Sequence, residues 1–352
     1  MIGTETQEVE RKVLTILRIL RESREPLGAR VIARHLREHG IDLTERAVRY
    51  HLKLMDERGL TTLAGRDGRR ITEQGLEEAE SALVQDKVGF AISRIEILGF
   101  QTTFDPKTRK GLIPVNVSFF AADKFRKALT VMAPVFKAGL CAGSRIAIRA
   151  EGESLGLIRV PEGKIGLATV CSVVTNGVLL KAGIPMDSRF GGILQLQHGR
   201  PSRFVELIHY AGSSLDPSEV FIRGKMTTVL HAARQGNGKI LANFREIPAA
   251  CRKLAEDVIS QLREAGLGNV LIMGSTSAPV CEVPVHPNKI GMVLIGGMNP
   301  VAAAEEEGIE AENRAMATLM DYQDLVEFEA LDSEFKKHRK EKCERESQVP
   351  QR

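Results

Sequence analysis

Two stretches of the chain, about 125 residues apart, have similar sequences, and this internal repeat constrains the fold more than any other feature. Residues 160–167 (VPEGKIGL) correspond to 285–292 (VHPNKIGM), and other segments correspond in the same order: 112–117 with 239–244, 144–148 with 269–273, and 204–207 with 325–328. We predict two similar halves, about 112–215 and 237–330, facing each other across a pseudo-twofold axis. A cleft between such halves is a common ligand site, whereas halves that simply share a core form no cleft.

The N-terminal region has a different pattern, with three amphipathic helices followed by a hairpin. Apolar residues recur at helical spacing in segments 8–23, 28–38 and 45–58, and the hairpin follows at 59–72. Thr44 is placed to cap the third helix, and Glu45 in its first turn suits the helix dipole. This order of elements is typical of a winged helix-turn-helix.

The third helix and the hairpin, or wing, carry the residues that we expect to contact DNA. Val48, Leu52 and Met55 share one face of the helix and must pack inward, while the opposite face is basic and polar. The predicted DNA-binding residues are Thr44, Glu45, Arg46, Arg49, Tyr50, Lys53 and the wing arginines Arg66, Arg69 and Arg70. Winged helices also dock proteins or bind RNA, and a solvated basic helix beside an ordinary hairpin is the structural alternative.

Composition argues against several other classes of protein. No apolar run approaches the roughly 20 residues that a membrane helix needs, and the first residues lack the pattern of a signal peptide. We therefore expect a cytoplasmic protein without a membrane partner. The five cysteines are scattered and show no zinc-site spacing, so we expect no metal, no disulfide framework and no cofactor.

The predicted fold is mixed α/β (α+β), with an N-terminal winged helix-turn-helix followed by an internally duplicated α/β domain that binds a small effector molecule. We place the winged helix at 1–85, the effector domain at 86–330 and a charged tail at 331–352. A chain of 352 residues with 43% hydrophobic residues is long and apolar enough for two packed domains.

Small and polar residues at the predicted strand ends of the effector domain mark its candidate ligand site. In α/β folds, ligands bind beyond the carboxyl ends of strands, and helix N-termini offer N–H groups to anions. The candidate residues are Cys171, Ser172, Thr175, Asn176, Ser275, Thr276, Gly296, Gly297 and Asn299, with Arg189 as the source of positive charge. Each of them, taken singly, also fits a turn or a cap, and Arg189 also fits a surface salt bridge.

With these segments in view, the chain resembles the archaeal nitrogen-regulatory repressors of the NrpR family. The resemblance rests on residues 44–52 (TERAVRYHL), 160–166 (VPEGKIG) and 176–185 (NGVLLKAGIP), and it extends from about Glu8 to Glu327. It implies a homo-oligomeric repressor of nitrogen-assimilation genes that binds an inverted-repeat operator in double-stranded DNA. We expect a homodimer, because one recognition helix reads only a short half-site. It also implies 2-oxoglutarate as the allosteric effector that releases the operator, and in some relatives a partner chain with a second effector domain.

Two other functions stay open on the sequence alone. One is an enzyme with an α/β catalytic domain and an accessory nucleic-acid module, although no nucleotide fingerprint, carboxylate pair or nucleophile motif stands out. The other is a repressor that senses another metabolite, or the redox state through Cys171. That cysteine has no histidine at a spacing that would activate its thiol.

Overall fold

The structure, a computed structural model, describes residues 2–23, 25–65, 67–81 and 89–330. It divides into two compact units. The first reaches Ile97 and includes Ala211–Ser214, and the second takes up the remainder from Leu98. The sequence placed the domain boundary at residue 85, whereas the first unit extends to Ile97. Arg66 of the wing and the charged tail at 331–352 lie outside the described residues.

The first unit contains the helices and the hairpin that the apolar spacing predicts. Its elements are α1 (Ile2–Glu22), α2 (Ala29–Glu38), α3 (Glu45–Glu57), β1 (Thr61–Leu63), β2 (Arg69–Ile71), α4 (Glu73–Ser81) and the first part of α5 (Phe90–Gln101). Apolar residues of α1, α2 and α3 form one buried cluster that includes Ile16, Leu36 and Leu52. Gly40 ends α2 with a positive φ of 72°, which glycine adopts without the strain that a Cβ imposes.

The second unit contains the duplicated part of the chain. Its elements after α5 are β3 (Leu112–Ala121), α6 (Ala122–Lys137), β4 (Arg145–Arg149), β5 (Ser154–Leu155), β6 (Ile158–Arg159), β7 (Lys164–Val170), α7 (Val173–Lys181), β8 (Asp187–Gln197), β9 (Arg200–His209), α8 (Pro217–Arg223), α9 (Val229–Gln235), β10 (Gly238–Pro248), α10 (Arg252–Glu264), β11 (Val270–Thr276), β12 (Lys289–Ile295), α11 (Asn299–Glu306), β13 (Ala311–Asp321) and β14 (Val326–Glu327). None of the helices in the described ranges is long and apolar enough to span a membrane.

The two halves build two five-stranded sheets by exchanging strands. The sheet orders are β13-β3-β7-β4-β14 and β11-β12-β10-β8-β9, so β13 of the second half joins β3 and β8 of the first half joins β10. The repeated strands β3, β7, β4 and β13 thus occupy the same order as β10, β12, β11 and β8, which confirms the internal duplication. The last matched segments differ, since β9 pairs with β8 while β14 pairs with β4.

The exchange corrects the prediction of two separate halves facing each other across a cleft. One hydrophobic core contains Val115 and Val170 of the first half together with Ile247 and Met292 of the second. The halves therefore share a core, which is the alternative that the sequence left open. All the pairings within the two five-stranded sheets are antiparallel, so the rule for ligands at the ends of parallel strands does not apply.

Two helices of the second unit begin earlier than the sequence pattern predicts. The segment 171–176 was expected at a strand end, but α7 begins at Val173, so Thr175 and Asn176 lie in its first turns. Likewise α11 begins at Asn299 instead of Ala302. The first turns of both helices are buried, including the polar Thr175, Asn176 and Asn299, so they lack the alternation of buried apolar and exposed polar residues that normally reveals where a helix begins.

Candidate functional site

The N-terminus of α3 is capped as the sequence predicts. The backbone N–H of Ala47 donates to Oγ1 of Thr44 over 3.2 Å, and Glu45 occupies the first turn. The cap satisfies a backbone donor that the helix cannot satisfy itself and fixes where the helix begins. Thr44 therefore has a structural role in addition to its predicted place at the DNA.

The outer face of α3 presents the predicted basic and aromatic side chains to solvent. Arg46, Arg49, Tyr50 and Lys53 are all exposed, with Tyr50 at 62% of its maximum. Arg49 pairs with Glu45 one turn earlier on the same face. Surface ion pairs of this kind are worth little, so Arg49 can exchange Glu45 for a phosphate or a base edge at small cost.

The wing holds its arginines in two different environments. The Nε of Arg69 donates to Asp56 of α3 over 2.7 Å, and Oγ1 of Thr61 donates to the other oxygen of the same carboxylate over 2.6 Å. Arg69 therefore fastens the wing to α3, a role that the sequence analysis did not assign to it. Arg70 is exposed and stays available to a ligand. Asp56 was missed because nothing in its spacing distinguishes it from other surface acids.

A buried polar cluster lies inside the second unit, centred on Arg245 of β10. Its side chain is 1% exposed, and its guanidinium donates to Oγ of Ser188 in β8 and, over 3.5 Å, to Oγ of Ser172 before α7. The amide of Asn176 donates to the same Ser188 hydroxyl over 3.0 Å. These residues and the further members Asn243 and Tyr210 are called the Arg245 cluster below.

Asn243, two residues before Arg245 on β10, extends this cluster to Tyr210, which follows β9. Its side-chain amide donates to Oγ of Ser172 over 3.0 Å, and its carbonyl oxygen accepts from the hydroxyl of Tyr210. Thr175 lies next to the cluster and donates to Oδ1 of Asn269 over 2.6 Å, so its hydroxyl stays within the protein.

The Arg245 cluster contains a positively charged group in a buried environment that disfavours charge. Burial lowers the pKa of Arg245 and raises that of Tyr210, because each charged form loses its hydration. Burial also raises the pKa of the nearby Asp216 carboxyl. Among the described residues, no carboxylate lies within ion-pair distance of Arg245, and its Nε has no hydrogen-bond partner.

Cys171 lies beside the cluster and is buried. Burial raises the pKa of its thiol to about 11, so the thiol is protonated at neutral pH. A protonated, buried thiol is a poor nucleophile, which disfavours the redox role that the sequence left open.

Arg189 lies on the opposite side of the sheet from the Arg245 cluster, so it is not a member of that cluster. Ser188 pairs with Arg245, and a bulge interrupts the register just before this pair, but the contact of Arg189 with Glu246 places its side chain on the face of Glu246. Arg189 contacts Glu246 over 3.1 Å and also contacts His286. Burial acts to raise the pKa of Glu246, but hydrogen bonds from His286 and the charge of Arg189 outweigh it and lower that pKa.

The other predicted ligand residues have structural surroundings. Asn299 accepts from the N–H of Leu241 over 2.8 Å and donates to its carbonyl over 3.0 Å. A side chain at Gly297 would collide with the Val170 carbonyl, and one at Gly296 with Leu241, so both glycines allow close packing. Ser275 and Thr276 are exposed at the end of β11, a strand at the sheet edge. The described part of the chain contains no cluster of His, Cys, Asp and Glu suited to a metal ion.

The structure thus joins two of the predicted ligand residues, Ser172 and Asn176, to residues that sequence reasoning missed. The missed members are Ser188, Tyr210, Asn243 and Arg245. One signal was available: Arg245 and Glu246 place two adjacent charges within the mostly apolar segment 240–247, and a buried strand rarely contains an unpaired charge.

Comparison with known proteins finds relatives along most of the chain. A family model described as NrpR regulatory domains NRD1 and 2 matches residues 88–327, and one described as Ribonuclease R winged-helix domain matches residues 14–79. The global nitrogen regulator NrpRI of Methanosarcina mazei is 42% identical over 320 residues, which cover 91% of this chain and 98% of that protein.

Two longer relatives and one solved structure extend the comparison. The global nitrogen regulators NrpR of Methanococcus maripaludis and Methanocaldococcus jannaschii are each 33% identical, covering 87% and 90% of this chain but only 53% and 55% of their own lengths. The crystal structure of a nitrogen repressor-like protein from Methanococcus jannaschii superposes with a TM-score of 0.58 at 26% identity. It covers 68% of this chain and 98% of that one.

Proposed function

Because the chain belongs to the NrpR family of global nitrogen regulators, we propose that it represses nitrogen-assimilation genes through an inverted-repeat operator and releases the operator when 2-oxoglutarate binds. The family consists of transcription regulators, so the chain is not an enzyme. Beyond family membership, the proposal specifies three things: repression instead of activation, an inverted-repeat operator, and 2-oxoglutarate as the effector.

The exposed face of α3 is the observation that carries the DNA-binding part of the proposal. Arg46, Arg49 and Lys53 extend from one side of a helix whose other side is fixed in the core by Val48 and Leu52. A rigid helix that presents long donors can enter a major groove and read base edges without first becoming ordered. The exposed Arg70 on the wing adds a phosphate contact.

An inverted-repeat operator requires two copies of α3. One helix reads only a few base pairs, and two half-sites about one helical turn apart gain affinity when their readers are linked. We propose a homodimer as the simplest arrangement. The chain spans about half the length of the two longer relatives, so a partner chain with a second effector domain is the alternative arrangement.

The Arg245 cluster supports the effector part of the proposal. 2-Oxoglutarate carries two carboxylates, and each must meet donors or positive charge, because a buried carboxylate without a partner is costly. The effector domain contains a buried guanidinium with hydroxyl and amide groups around it. Release of DNA requires that the effector bind the released form better than the DNA-bound form, and a ratio of about 100 corresponds to roughly 2.7 kcal/mol per site.

A binding assay on the full chain tests the DNA part. Fluorescently labelled promoter fragments of nitrogen-assimilation genes from the same genome are compared with scrambled duplexes and with structured RNA at fixed salt. We expect at least one promoter fragment to bind roughly 1000-fold more tightly than scrambled DNA, as specific sites do. Equal affinity for all duplexes, or a preference for the RNA, would rule out operator recognition by this winged helix.

A thermal-shift screen tests the effector part. The full chain is heated with 2-oxoglutarate, with other carboxylic acids, with amino acids and with nucleotides. A ligand that binds only the folded state raises the melting temperature, and at 100 times its Kd it adds about 2.7 kcal/mol of stability. We expect the largest shift with 2-oxoglutarate. If a nucleotide or an amino acid raises the melting temperature and 2-oxoglutarate does not, that other ligand is the effector instead of 2-oxoglutarate.

A further inference from the structure

Arg245 is a buried cation that forms no ion pair with a carboxylate of the described residues. Its side chain is 1% exposed, its Nε has no hydrogen-bond partner within the described part of the chain, its guanidinium donates to the hydroxyls of Ser188 and Ser172, and it lies 6.0 Å from the centre of the Tyr210 ring. The Asp216 carboxyl acts on this charge only from beyond ion-pair distance. Removing a guanidinium from water without a directly paired anion is expensive.

The next residue of the same strand shows that the chain can neutralise a buried charge where it needs to. Glu246 is 0% exposed, and two cations and a histidine approach it: Arg189 at 3.1 Å, Lys289 at 3.7 Å and His286 at 2.7 Å. One face of β10 thus has a buried carboxylate with three partners, while the buried guanidinium on the other face forms no ion pair with the described residues. The contrast is specific to the Arg245 cluster and is not a general property of this sheet.

The duplication provides a comparison site within the same molecule. In the repeat alignment, Ser118 corresponds to Arg245 and Asn313 to Ser188, and the sheets pair them identically, Ser118 with Asn313 and Arg245 with Ser188. In the Ser118 pair, Oγ of Ser118 donates to Asn313 over 2.7 Å. Ser118 and Asn313 are both neutral, and Asn313 donates to the Glu305 carboxylate over 3.1 Å. Gly297 is the counterpart of Ser172.

The polar groups around Ser118 are also satisfied by hydrogen bonds within the protein. Asn116, which corresponds to Asn243, donates to the carbonyl of Val170 over 3.3 Å and accepts from the N–H of Met316 over 3.1 Å. The two corresponding positions have therefore diverged. The position around Ser118 satisfies its polar atoms within the protein, whereas among the described residues the Arg245 cluster retains a guanidinium without an ion pair and the unpartnered amide oxygen of Asn176.

We propose that the Arg245 cluster binds the carboxylate of a small organic acid, one per chain, and that the corresponding position around Ser118 binds none. The proposal rests on the effector function proposed above and gives it a location. A carboxylate accepts from the guanidinium and from the hydroxyls of Ser172 and Ser188, which turn from acceptors into donors. The unpaired guanidinium destabilises the ligand-free protein. A bound carboxylate removes this destabilisation, and the free energy recovered favours binding.

Isothermal calorimetry on the full chain with 2-oxoglutarate tests the proposal, with inorganic phosphate as a second probe. Arg245→Met removes the charge at similar volume, and Arg189→Met makes the same change on the opposite face of the sheet. We expect a stoichiometry of one for the parent protein. We expect the Kd to rise about 30-fold or more in Arg245→Met, because hydrogen bonds to a charged group are lost. Arg189→Met should keep the Kd of the parent protein.

Thermal unfolding without ligand separates this role from a structural one. Arg245→Met should unfold at the same temperature as the parent protein or higher, because it removes an unpaired buried charge, whereas Arg189→Met should unfold lower because it takes a partner from Glu246. A structural arginine would give the reverse order. If Arg245→Met does not fold, its role is structural and the proposal fails. Ser188→Ala is an independent test, expected to raise the Kd several-fold.

The outcomes distinguish the site from the function. If the parent protein, Arg245→Met and Ser188→Ala bind 2-oxoglutarate with equal affinity, the proposed location of the site is wrong, while 2-oxoglutarate remains the effector. Two ligands per chain overturn the statement that the copies have diverged. No binding of 2-oxoglutarate by the parent protein overturns the proposed effector and this site for it together. Binding of phosphate in preference to the organic acid overturns the carboxylate as the ligand chemistry.

Discussion

Arg245 and Glu246 are neighbours in β10, yet the protein surrounds their charges in opposite ways. Glu246 meets Arg189, His286 and Lys289 on one face of the sheet, while Arg245 on the other face donates hydrogen bonds to serine hydroxyls and forms no ion pair with the described residues. The sequence could show that both charges lie in an apolar strand, but it could not show which charge was paired. That depends on β8, whose register places Ser188 beside Arg245 and sends Arg189 to the other face.

At the residue scale, the exposed arginines and lysine of α3 give the first prediction. Arg49→Ala, Arg46→Ala and Lys53→Ala should each weaken operator binding. A lost bidentate base contact costs about 1–3 kcal/mol, and a lost phosphate contact mainly lowers the salt dependence. Anisotropy titrations at several salt concentrations measure both effects. Lys127→Ala, the same change of charge on the exposed face of α6, is the control and should leave both quantities unchanged. Parent-like affinity and salt slope in all three α3 variants would exclude this helix as the reader.

These residues also show where sequence reasoning succeeds. The face of α3 was predictable because apolar residues at Val48, Leu52 and Met55 fix which side is buried, and the structure confirms the exposed side. The pairing of Arg69 with Asp56 was not predictable, because the two residues come together only when the wing folds back onto α3. Helix faces follow from local periodicity, whereas ion pairs between elements follow from tertiary structure.

His39 gives a prediction about pH, again at the residue scale. Burial lowers its pKa well below the ordinary value of 6.5, and the charges of Arg94 and Arg18 lower it further. The folded state therefore binds fewer protons than the unfolded state, so this contribution to stability is complete above pH 6.5 and is lost as the pH falls below it. Unfolding of the first unit should need less denaturant at pH 5.5 than at pH 7.5. His39→Gln should reduce that difference, and an unchanged difference would show that His39 does not titrate in this way.

At the scale of elements, the wing depends on one carboxylate. Asp56 accepts from Arg69 of β2 and from Thr61 of β1, so it joins both strands to the end of α3. Asp56→Ala leaves these donors without a partner and should lower the stability of the first unit by about 1–3 kcal/mol. Chemical denaturation of the full chain measures this loss. Glu57→Ala changes an exposed neighbour whose ion pair is with Lys53 at 3.9 Å, and it should cost far less. Equal effects of the two changes would refute the role of Asp56.

The strand exchange is the main feature of this scale that the sequence could not supply. The repeat predicted two copies of strand, helix and strand, and the structure confirms them. Whether β8 stays with its own half or joins β10 depends on how the chain turns after α7, and the repeat is equally compatible with both. The same ambiguity led to the prediction of a cleft between separate halves, where the molecule instead has a shared core.

At the scale of the whole molecule, the proposed homodimer can be tested directly. A winged helix offers little surface beyond its own core and its DNA face, so the dimer contacts should come mostly from the effector domain. The fragment 87–330 should therefore elute at twice its monomer mass in size-exclusion chromatography with light scattering at tens of micromolar. The fragment 1–85 serves as the comparison and should be monomeric. A monomeric fragment 87–330 together with a dimeric fragment 1–85 would place the contacts in the winged helix.

The most direct test of the account is a titration of 2-oxoglutarate into the complex between the full chain and its operator, followed by the anisotropy of labelled DNA at constant salt. We expect the parent protein and Arg189→Met to release the DNA over the same range of effector concentration. The complex of Arg245→Met should need about 30 times more effector or should not release at all. Release of the Arg245→Met complex at the parent concentration would contradict the account, as would a parent complex that 2-oxoglutarate never dissociates.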